Sequence, residues 1–122
     1  MAQQTIQKIS DPKIQKCIDD CFECHKVCIE SLEYCLQKGG KHIDFHHIRL
    51  MTDCVEICQT SAHFMLRQSD SQFRTCGVCA EICEKCAESC DILGADQQMK
   101  LCAETCRSCA NSCRDMNQSM AA

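Results

Sequence analysis

Cysteine dominates the chemistry that this sequence can perform. The chain has 122 residues, of which 16 are cysteine, whereas tryptophan is absent and tyrosine and proline occur once each. The cysteines are Cys17, Cys21, Cys24, Cys28, Cys35, Cys54, Cys58, Cys76, Cys79, Cys83, Cys86, Cys90, Cys102, Cys106, Cys109 and Cys113. Thiolates are soft ligands for Cu(I), zinc and iron–sulfur clusters, and they are also redox nucleophiles. The sequence therefore indicates metal or redox chemistry.

The spacing of the cysteines predicts that they lie on helices. The cysteines fall into four groups along the sequence, at 17–35, 54–58, 76–90 and 102–113. Within each group, successive cysteines are three or four residues apart, except for the step of seven from Cys28 to Cys35. Such steps average 3.5 residues, which is the repeat of the buried seam of a helix that packs against other helices. Each group is therefore expected to form one sulfur-lined stripe. The same phase continues through His47 and Met51 in the second helix and through Met99 in the fourth.

Capping and turn residues divide the chain into four helices. Asp11 followed by Pro12 predicts the first helix start, and Gly94 predicts the end of the third helix. The expected helices span about residues 12–38, 45–68, 71–93 and 97–117. Short connections favour antiparallel packing of consecutive helices. We therefore predict an all-α fold, an antiparallel up-down-up-down four-helix bundle with a cysteine-lined core, formed by residues 1–122 as a single domain.

Composition and charge argue against several other classes of protein. Thirteen basic residues against 17 acidic ones, with a net charge of −4, provide no basic field for a nucleic acid. The sequence has no apolar run long enough for a membrane span or an export signal, which predicts a cytoplasmic protein without a membrane partner. In the cytoplasm thiols stay reduced. Disulfides within one stripe are also disfavoured, because neighbouring Cβ atoms on a helix are roughly 5–6 Å apart and a disulfide needs about 3.8 Å.

Charge favours Cu(I) among the soft metals. A Cu(I) ion that replaces one thiol proton leaves the charge of the core unchanged, whereas Zn²⁺ in a four-thiolate site leaves two negative charges behind. The stripes contain no Lys or Arg, and an uncompensated buried charge costs several kcal/mol. We therefore expect the sixteen cysteines to store or buffer several Cu(I) ions, with His47 and Met51 as further candidate ligands.

Two other functions stay open at this point. The first is a general thiol buffer for zinc or other soft metals, and the second is a thiol redox protein that uses a Cys-x-x-Cys motif. The motifs Cys76-x-x-Cys79 and Cys83-x-x-Cys86 give little support to an iron–sulfur or thioredoxin-type protein, since no ferredoxin-type Cys-Pro and no βαβ pattern accompanies them. Catalysis is not expected, because no nucleophile–base pattern or phosphate loop is visible.

The antiparallel order predicts two different ends for the sulfur-lined core. One end collects His42, His46, His47, Met51 and Met99. Imidazole and thioether bind Cu(I) more weakly than thiolate, so we expect copper uptake there, with His47 favoured over His42 and His46 as a ligand. The other end is expected to form an apolar plug from Ile14, Met65, Phe73, Met116 and Met120, covered by Ile6 and Ile9.

The sequence resembles the cytosolic copper storage proteins. The resemblance is carried by the Cys-x-x-x-Cys pairs on four helices, the start without a leader, the histidines between the first two helices, and the Cys-Arg-x-Met segment from Cys113 to Met116. It covers essentially the whole chain and implies that each bundle binds many Cu(I) ions, mostly through its sixteen cysteines. It also implies a homotetramer. A copper donor or acceptor protein is a further expected partner, and the two cysteines of the second helix, Cys54 and Cys58, leave the ion count open.

Overall fold

Four long helices make up nearly all of the described chain. The computed structural model describes residues 11–119. Helix α1 spans Pro12–Lys38, a short 3₁₀ helix spans Gly40–Ile43, and helices α2, α3 and α4 span Phe45–Leu66, Gln72–Leu93 and Gln97–Ser119. Within residues 11–119, no helix has an apolar stretch long enough to cross a bilayer. The predicted all-α fold is confirmed, and the observed starts lie within one residue of the expected ones.

Aspartate side chains begin three of the four helices. Asp11 caps α1. A carboxylate oxygen of Asp44 lies 3.4 Å from the backbone N–H of His47, and one of Asp96 lies 3.1 Å from the backbone N–H of Met99. Each carboxylate accepts from an N–H group that has no partner within its helix. Asp44 and Asp96 thereby set the starts of the helices that carry His47 and Met99.

The end of α2 differs from the prediction. We expected the helix to continue to Gln68, but it ends at Leu66. The N–H of Gln68 donates to the carbonyl of Met65 at 3.0 Å, and the N–H of Ser69 donates to that of Phe64 at 2.9 Å. This pair of bonds is the Schellman motif, in which the residue after the helix adopts a left-handed conformation, and Gln68 has φ 54°. This helix end could not be predicted from the sequence, because the left-handed position usually holds glycine.

Consecutive helices run in opposite directions. At one end of the bundle, the Sγ atoms of Cys17 in α1 and Cys113 in α4 are 3.6 Å apart. At the other end, Sγ of Cys35 in α1 lies 3.9 Å from Sδ of Met99 in α4. Contacts join α1 to α2, α2 to α3, α3 to α4 and α4 to α1, which closes the ring of helices around a central core. The predicted up-down-up-down four-helix bundle is confirmed.

The core of the bundle consists mainly of sulfur-containing side chains. All sixteen cysteines are fully buried, as are Met51, Met65 and Met99. Within residues 11–119, the buried polar residues are Ser31, His47, Ser61 and Ser89, and none is Lys, Arg, Asp or Glu. The core therefore contains no permanently charged side chain.

Candidate metal centre

Fourteen of the sixteen cysteines form five groups of closely spaced thiols. In each group all Sγ atoms lie within 4.8 Å of one another. Along the bundle axis the groups are Cys17, Cys76 and Cys113; Cys21, Cys79, Cys109 and Cys113; Cys24, Cys58, Cys83 and Cys109; Cys24, Cys28, Cys54 and Cys106; and Cys28, Cys86, Cys102 and Cys106. Neighbouring groups share members, so the thiols form one continuous column, which we call the thiol column.

The thiols of the column are free. Cys21 and Cys113, for example, have Sγ atoms 3.5 Å apart, whereas a disulfide bond is about 2.05 Å long. The facing sulfurs come from different helices, as the antiparallel stripes require. A soft monovalent ion can bind between two or three sulfurs at such separations, and it does not need a preformed tetrahedral site. The column therefore offers a chain of adjoining candidate metal sites.

Helix α4 contributes to every one of the five groups. Its cysteines Cys102, Cys106, Cys109 and Cys113 follow steps of four, three and four residues, which keep all four side chains on the buried face. Cys106, Cys109 and Cys113 each belong to two groups. Removal of the α4 thiols would therefore leave every one of the five groups with fewer sulfur ligands.

Burial and mutual hydrogen bonding favour the protonated form of several core thiols. Hydrogen bonds with Cys109 and further thiols, together with burial, hold the pKa of Cys58 well above its usual range. Burial raises the pKa of Cys35 to about 11. Closely spaced thiols also cannot all ionise in the metal-free protein, because like charges repel strongly where water is excluded. Metal binding must therefore release protons from the column.

We expect the metal-free protein to lose stability at alkaline pH. The pKa of Cys35 rises from 9.0 to about 11 in the folded chain. Because the folded chain holds this proton more tightly than the unfolded chain, the protonated Cys35 thiol makes its full contribution to stability below pH 9. That contribution is lost as the pH rises through 11. Two pKa units correspond to at most about 3 kcal/mol of unfolding free energy.

Urea unfolding at pH 8 and at pH 11, under reducing conditions, measures this effect. The variant Cys35→Ser is the control, because serine does not titrate in this range and its loss of stability should be smaller. Equal stability of the original chain at both pH values would contradict the raised pKa of Cys35.

His47 and Cys35 meet at one end of the thiol column, which we call the histidine end. Nε2 of His47 lies 3.4 Å from Sγ of Cys35, and Nδ1 lies 2.7 Å from Oγ of Ser89. The imidazole is only 3% exposed, and its burial lowers the pKa of His47. The ring is therefore neutral at neutral pH and keeps a lone pair that can bind a metal.

Met51 lies between the histidine end and the rest of the column. Its Sδ atom accepts hydrogen bonds from the thiols of Cys86, Cys90 and Cys102, at sulfur–sulfur distances of 3.5, 3.8 and 3.9 Å. Cys35 and Cys90 are the two cysteines outside the five groups. At the position of Met51 along the bundle axis, the ligands available to a metal ion would change from thiolates alone to a mixture of thiolate, thioether and imidazole.

A cavity of about 590 Å³ borders the histidine end. It is lined by the 3₁₀ helix, by the first residues of α2 including His47, and by Ser89, Ile92 and Leu93 of α3. Because His47 also contacts Cys35, its imidazole connects this cavity with the thiols. The cavity is therefore the candidate route for an ion into the core.

Asp96 ties the 3₁₀ helix to the bundle at this end. One carboxylate oxygen lies 2.7 Å from Nε2 of His42 and accepts from the hydroxyl of Tyr34 at 2.9 Å. The other oxygen caps α4 through the backbone N–H of Met99. The His42 imidazole is thus engaged with a carboxylate, and His46 is exposed, whereas His47, the histidine that we favoured as a ligand, is buried.

Replacement of Asp96 with alanine is expected to destabilise the protein by about 1–3 kcal/mol. The variant loses the α4 cap, which is worth about 1 kcal/mol, and it loses the hydrogen bonds to His42 and Tyr34. Chemical denaturation measures the difference. Asp96→Asn is the matched variant, because asparagine is a good cap, and it should lose less; equal losses in both variants would show that the cap contributes nothing.

The opposite end of the column is closed by apolar side chains. Sγ of Cys76 lies 3.7 Å from Sδ of Met65 and 3.3 Å from Oγ of Ser61. Met116 is buried, and Ile14 and Phe73 pack against the core. These residues form the expected plug, whereas Ile6, Ile9 and Met120 lie outside the described residues. The two ends therefore differ in chemistry.

The structure brings all of the candidate site residues together. The sixteen cysteines, His47 and Met51 lie in the buried core, on the stripes where the sequence placed them. Sequence reasoning missed Ser89 and Tyr34. The fourth helix was expected to start near Asp96, but the second role of Asp96 depends on a contact across three elements. Ser89 precedes Cys90 on the flank of its stripe, and its contact with His47 had no signal in the sequence.

Comparison with known proteins supports the same interpretation. A family profile described as copper storage protein matches residues 10–118. The structure of the protein Nmul_A1745 from Nitrosospira multiformis is 47% identical in sequence, covers 90% of this chain and 99% of its own, and has a TM-score of 0.84. The profile spans all four helices except the last residue of α4.

Two solved copper storage proteins share the fold. The Cu(I)-bound copper storage protein BsCsp3 of Bacillus subtilis is 31% identical, covers 86% of this chain and 98% of its own, and has a TM-score of 0.80. A cytosolic copper storage protein from Streptomyces lividans, solved with five coppers, is 25% identical, covers 87% of this chain and 92% of its own, and has a TM-score of 0.80. Since the family profile covers nearly the whole chain, this protein belongs to the copper storage protein family.

Proposed function

We propose that this protein stores several Cu(I) ions along the thiol column. The sixteen cysteines of the chain, including Cys35 and Cys90 beside the column, supply the thiolate ligands, and His47 and Met51 supply further ligands at the histidine end. The main support for the proposal is the set of five adjoining groups of fully buried sulfurs, in a core where no Lys, Arg, Asp or Glu of residues 11–119 is buried. Storage of this kind involves no catalytic turnover.

The charge of the core favours Cu(I) over zinc. One Cu(I) ion for each displaced proton leaves the column neutral, whereas zinc in four-thiolate sites would leave two negative charges at each site. No buried Lys or Arg in residues 11–119 could compensate those charges. Cu(I) also needs only about two or three thiolates, which every group offers. The copper bound in two of the related structures supports the same ion.

A titration of the reduced protein with Cu(I) against a competing chelator tests the proposal. We expect saturation close to the 16 thiols of the chain. Saturation with about four tightly held Zn²⁺ ions, and weak Cu(I) binding, would favour a zinc buffer instead. Two reactive thiols among otherwise inert ones would favour a redox protein.

We propose the histidine end as the point of copper uptake. The variants His47→Leu and Met51→Leu each remove one of the weaker ligands. His47 lines the cavity, and Met51 contacts the first thiols behind it. Loss of such ligands is expected to slow Cu(I) uptake on the order of tenfold, while the capacity, which is set by the thiols, changes little. Stopped-flow absorbance of the Cu(I)–thiolate bands measures the rate.

Met65→Leu is the matched control for the uptake experiment. Met65 is also fully buried and contacts the thiol of Cys76, but it lies at the opposite end of the column. It should leave the uptake rate unchanged. An effect of Met65→Leu equal to that of Met51→Leu, or no effect of any of these variants, would contradict uptake at the histidine end.

We also propose assembly into a homotetramer, as the resemblance to the family implies. Phe22, Ile29 and Leu36 are exposed and repeat every seven residues, so they share one side of α1. A stripe of exposed apolar side chains is suited to contact with another subunit. Light scattering should give a particle of four times the 13.8 kDa chain mass. A monomer mass that persists at high concentration would contradict the assembly.

A cytoplasmic location fits a protein with sixteen free thiols, since thiols stay reduced in that compartment. The related Streptomyces lividans protein is named as cytosolic. In this setting the partners of the chain would be proteins that donate or accept Cu(I). Fractionation of cells that express the tagged chain tests the location, and recovery outside the cytoplasmic fraction would contradict it.

A further inference from the structure

We infer that Ser89 is a positioning residue for copper uptake, because its hydroxyl holds the His47 imidazole with Nε2 directed at the thiol column. The inference rests on the proposed function. It assigns a role to a residue that is not itself a copper ligand. The role of Ser89 follows from the contacts of the buried His47 imidazole.

The geometry places His47 between a hydroxyl and a thiol. Ser89 lies on α3, is 8% exposed, and has its Oγ atom 2.7 Å from Nδ1 of His47. On the other side of the ring, Nε2 lies 3.4 Å from Sγ of Cys35. The two nitrogens of an imidazole point in nearly opposite directions, so a hydrogen bond at Nδ1 determines where Nε2 points. Ser89 thus sets the orientation of the His47 lone pair.

The hydroxyl also fits the proton state that copper binding requires. When Nε2 donates its lone pair to Cu(I), the single ring proton must be on Nδ1. Ser89 Oγ can accept that proton in a hydrogen bond. Histidine ligands commonly donate their second N–H to a fixed acceptor in this way, which holds the ring and strengthens the metal bond.

A hydroxyl suits both the metal-free and the copper-bound state. Without copper, the thiol of Cys35 and Nε2 of His47 share one hydrogen bond, and either atom can carry the proton. Serine can donate to Nδ1 or accept from it, so it pairs with both forms of the ring. An alanine at position 89 could do neither and would leave the ring free to turn.

Of the two other fully buried serines, Ser31 provides the matched control. Ser31 accepts a hydrogen bond from the side chain of Gln98 at 2.9 Å, and Ser61 lies 3.3 Å from the thiol of Cys76. Ser31, like Ser89, is a buried helical serine beside the sulfur-lined core. Ser31→Ala therefore removes a buried hydroxyl and its hydrogen bond without altering any contact of His47.

The experiment compares Ser89→Ala, Ser89→Thr and Ser31→Ala in the otherwise intact chain. We expect Ser89→Ala to slow Cu(I) uptake about 10-fold, the lower end of the range for loss of such a supporting contact and no more than the effect of His47→Leu, with the total capacity unchanged. Ser89→Thr keeps the hydroxyl and should restore the rate. Circular dichroism confirms that each variant is folded.

Nitrogen NMR of the His47 ring gives a second readout that packing alone would not change. In the metal-free chain, Ser89→Ala should shift the Nδ1 resonance, whereas Ser31→Ala should not. An unchanged ring spectrum in Ser89→Ala, or an uptake rate equal to that of the original chain, would overturn the inference. Equal slowing by Ser31→Ala would also overturn it, because the effect would then come from packing.

The two proposals fail in different ways. If the original chain does not bind several Cu(I) ions, the proposed function is wrong and the inference falls with it. If the original chain fills normally and Ser89→Ala fills at the same rate, only the role of Ser89 is wrong.

Discussion

Replacement of the four α4 cysteines with serine is expected to lower the Cu(I) capacity by at least a quarter, which is the share of four thiols among 16. The effect should exceed this share, because all five thiol groups contain an α4 cysteine and none would stay complete. The remaining ions should therefore be held more weakly. Serine is a suitable replacement, since Ser31 and Ser61 are already fully buried on the core faces of their helices. Titration against a chelator measures both number and affinity.

A second variant with four serines separates grouping from thiol count. Replacement of Cys17, Cys35, Cys86 and Cys90 also removes four thiols, but it leaves three of the five groups complete. It should lose about the four ions that correspond to the missing thiols and should retain tight binding of the rest. If both variants lose the same number of ions and hold the remainder equally well, the thiols act independently and the grouping has no role.

Copper loading is expected to raise the unfolding free energy by an amount comparable to the whole stability of the metal-free protein. Each ion that binds only the folded state adds about 2.7 kcal/mol when its free concentration is 100 times the dissociation constant. Four ions at that level add more than about 10 kcal/mol, whereas small domains have only about 5–15 kcal/mol in total. The physical reason is that the unfolded chain cannot hold sulfurs from different helices around the same ion.

Thermal unfolding of metal-free and loaded protein measures this stabilisation. The metal-free chain should show a melting transition, and the loaded chain should melt far higher or stay folded throughout the scan. The variant with four α4 serines is the control and should gain less. The same melting temperature with and without copper would show that the ions bind outside the folded core.

The sulfur-lined core could be predicted from the sequence because its periodicity is strong. Steps of three and four residues define a helix face whatever the neighbours are, and small or apolar flanks such as Ala62 and Ala110 allow the stripes to meet. His47 and Met51 continue the same phase as Cys54 and Cys58. The burial of both residues therefore followed from local spacing.

Contacts between side chains at the histidine end could not be predicted in the same way. Ser89 and His47 come from different helices, and their contact depends on how far each helix is rotated about its axis. The bridge from Asp96 to His42 and Tyr34 depends on the path of the 3₁₀ helix, which has no periodic signal. The early end of α2 has a similar cause, since the left-handed conformation of Gln68 is uncommon for this residue type.

Copper storage in this core depends on a neutral exchange of protons for Cu(I), and the number of protons released during loading is the sharpest test of that exchange. In an anaerobic titration of the reduced protein near neutral pH, Cu(I) is added in acetonitrile while a pH-stat counts the released protons. We predict about one proton for each Cu(I) ion, continuing until the number of ions approaches the 16 thiols of the chain. Loading that ends at about four ions, or that releases almost no protons, would contradict storage in a column of protonated thiols.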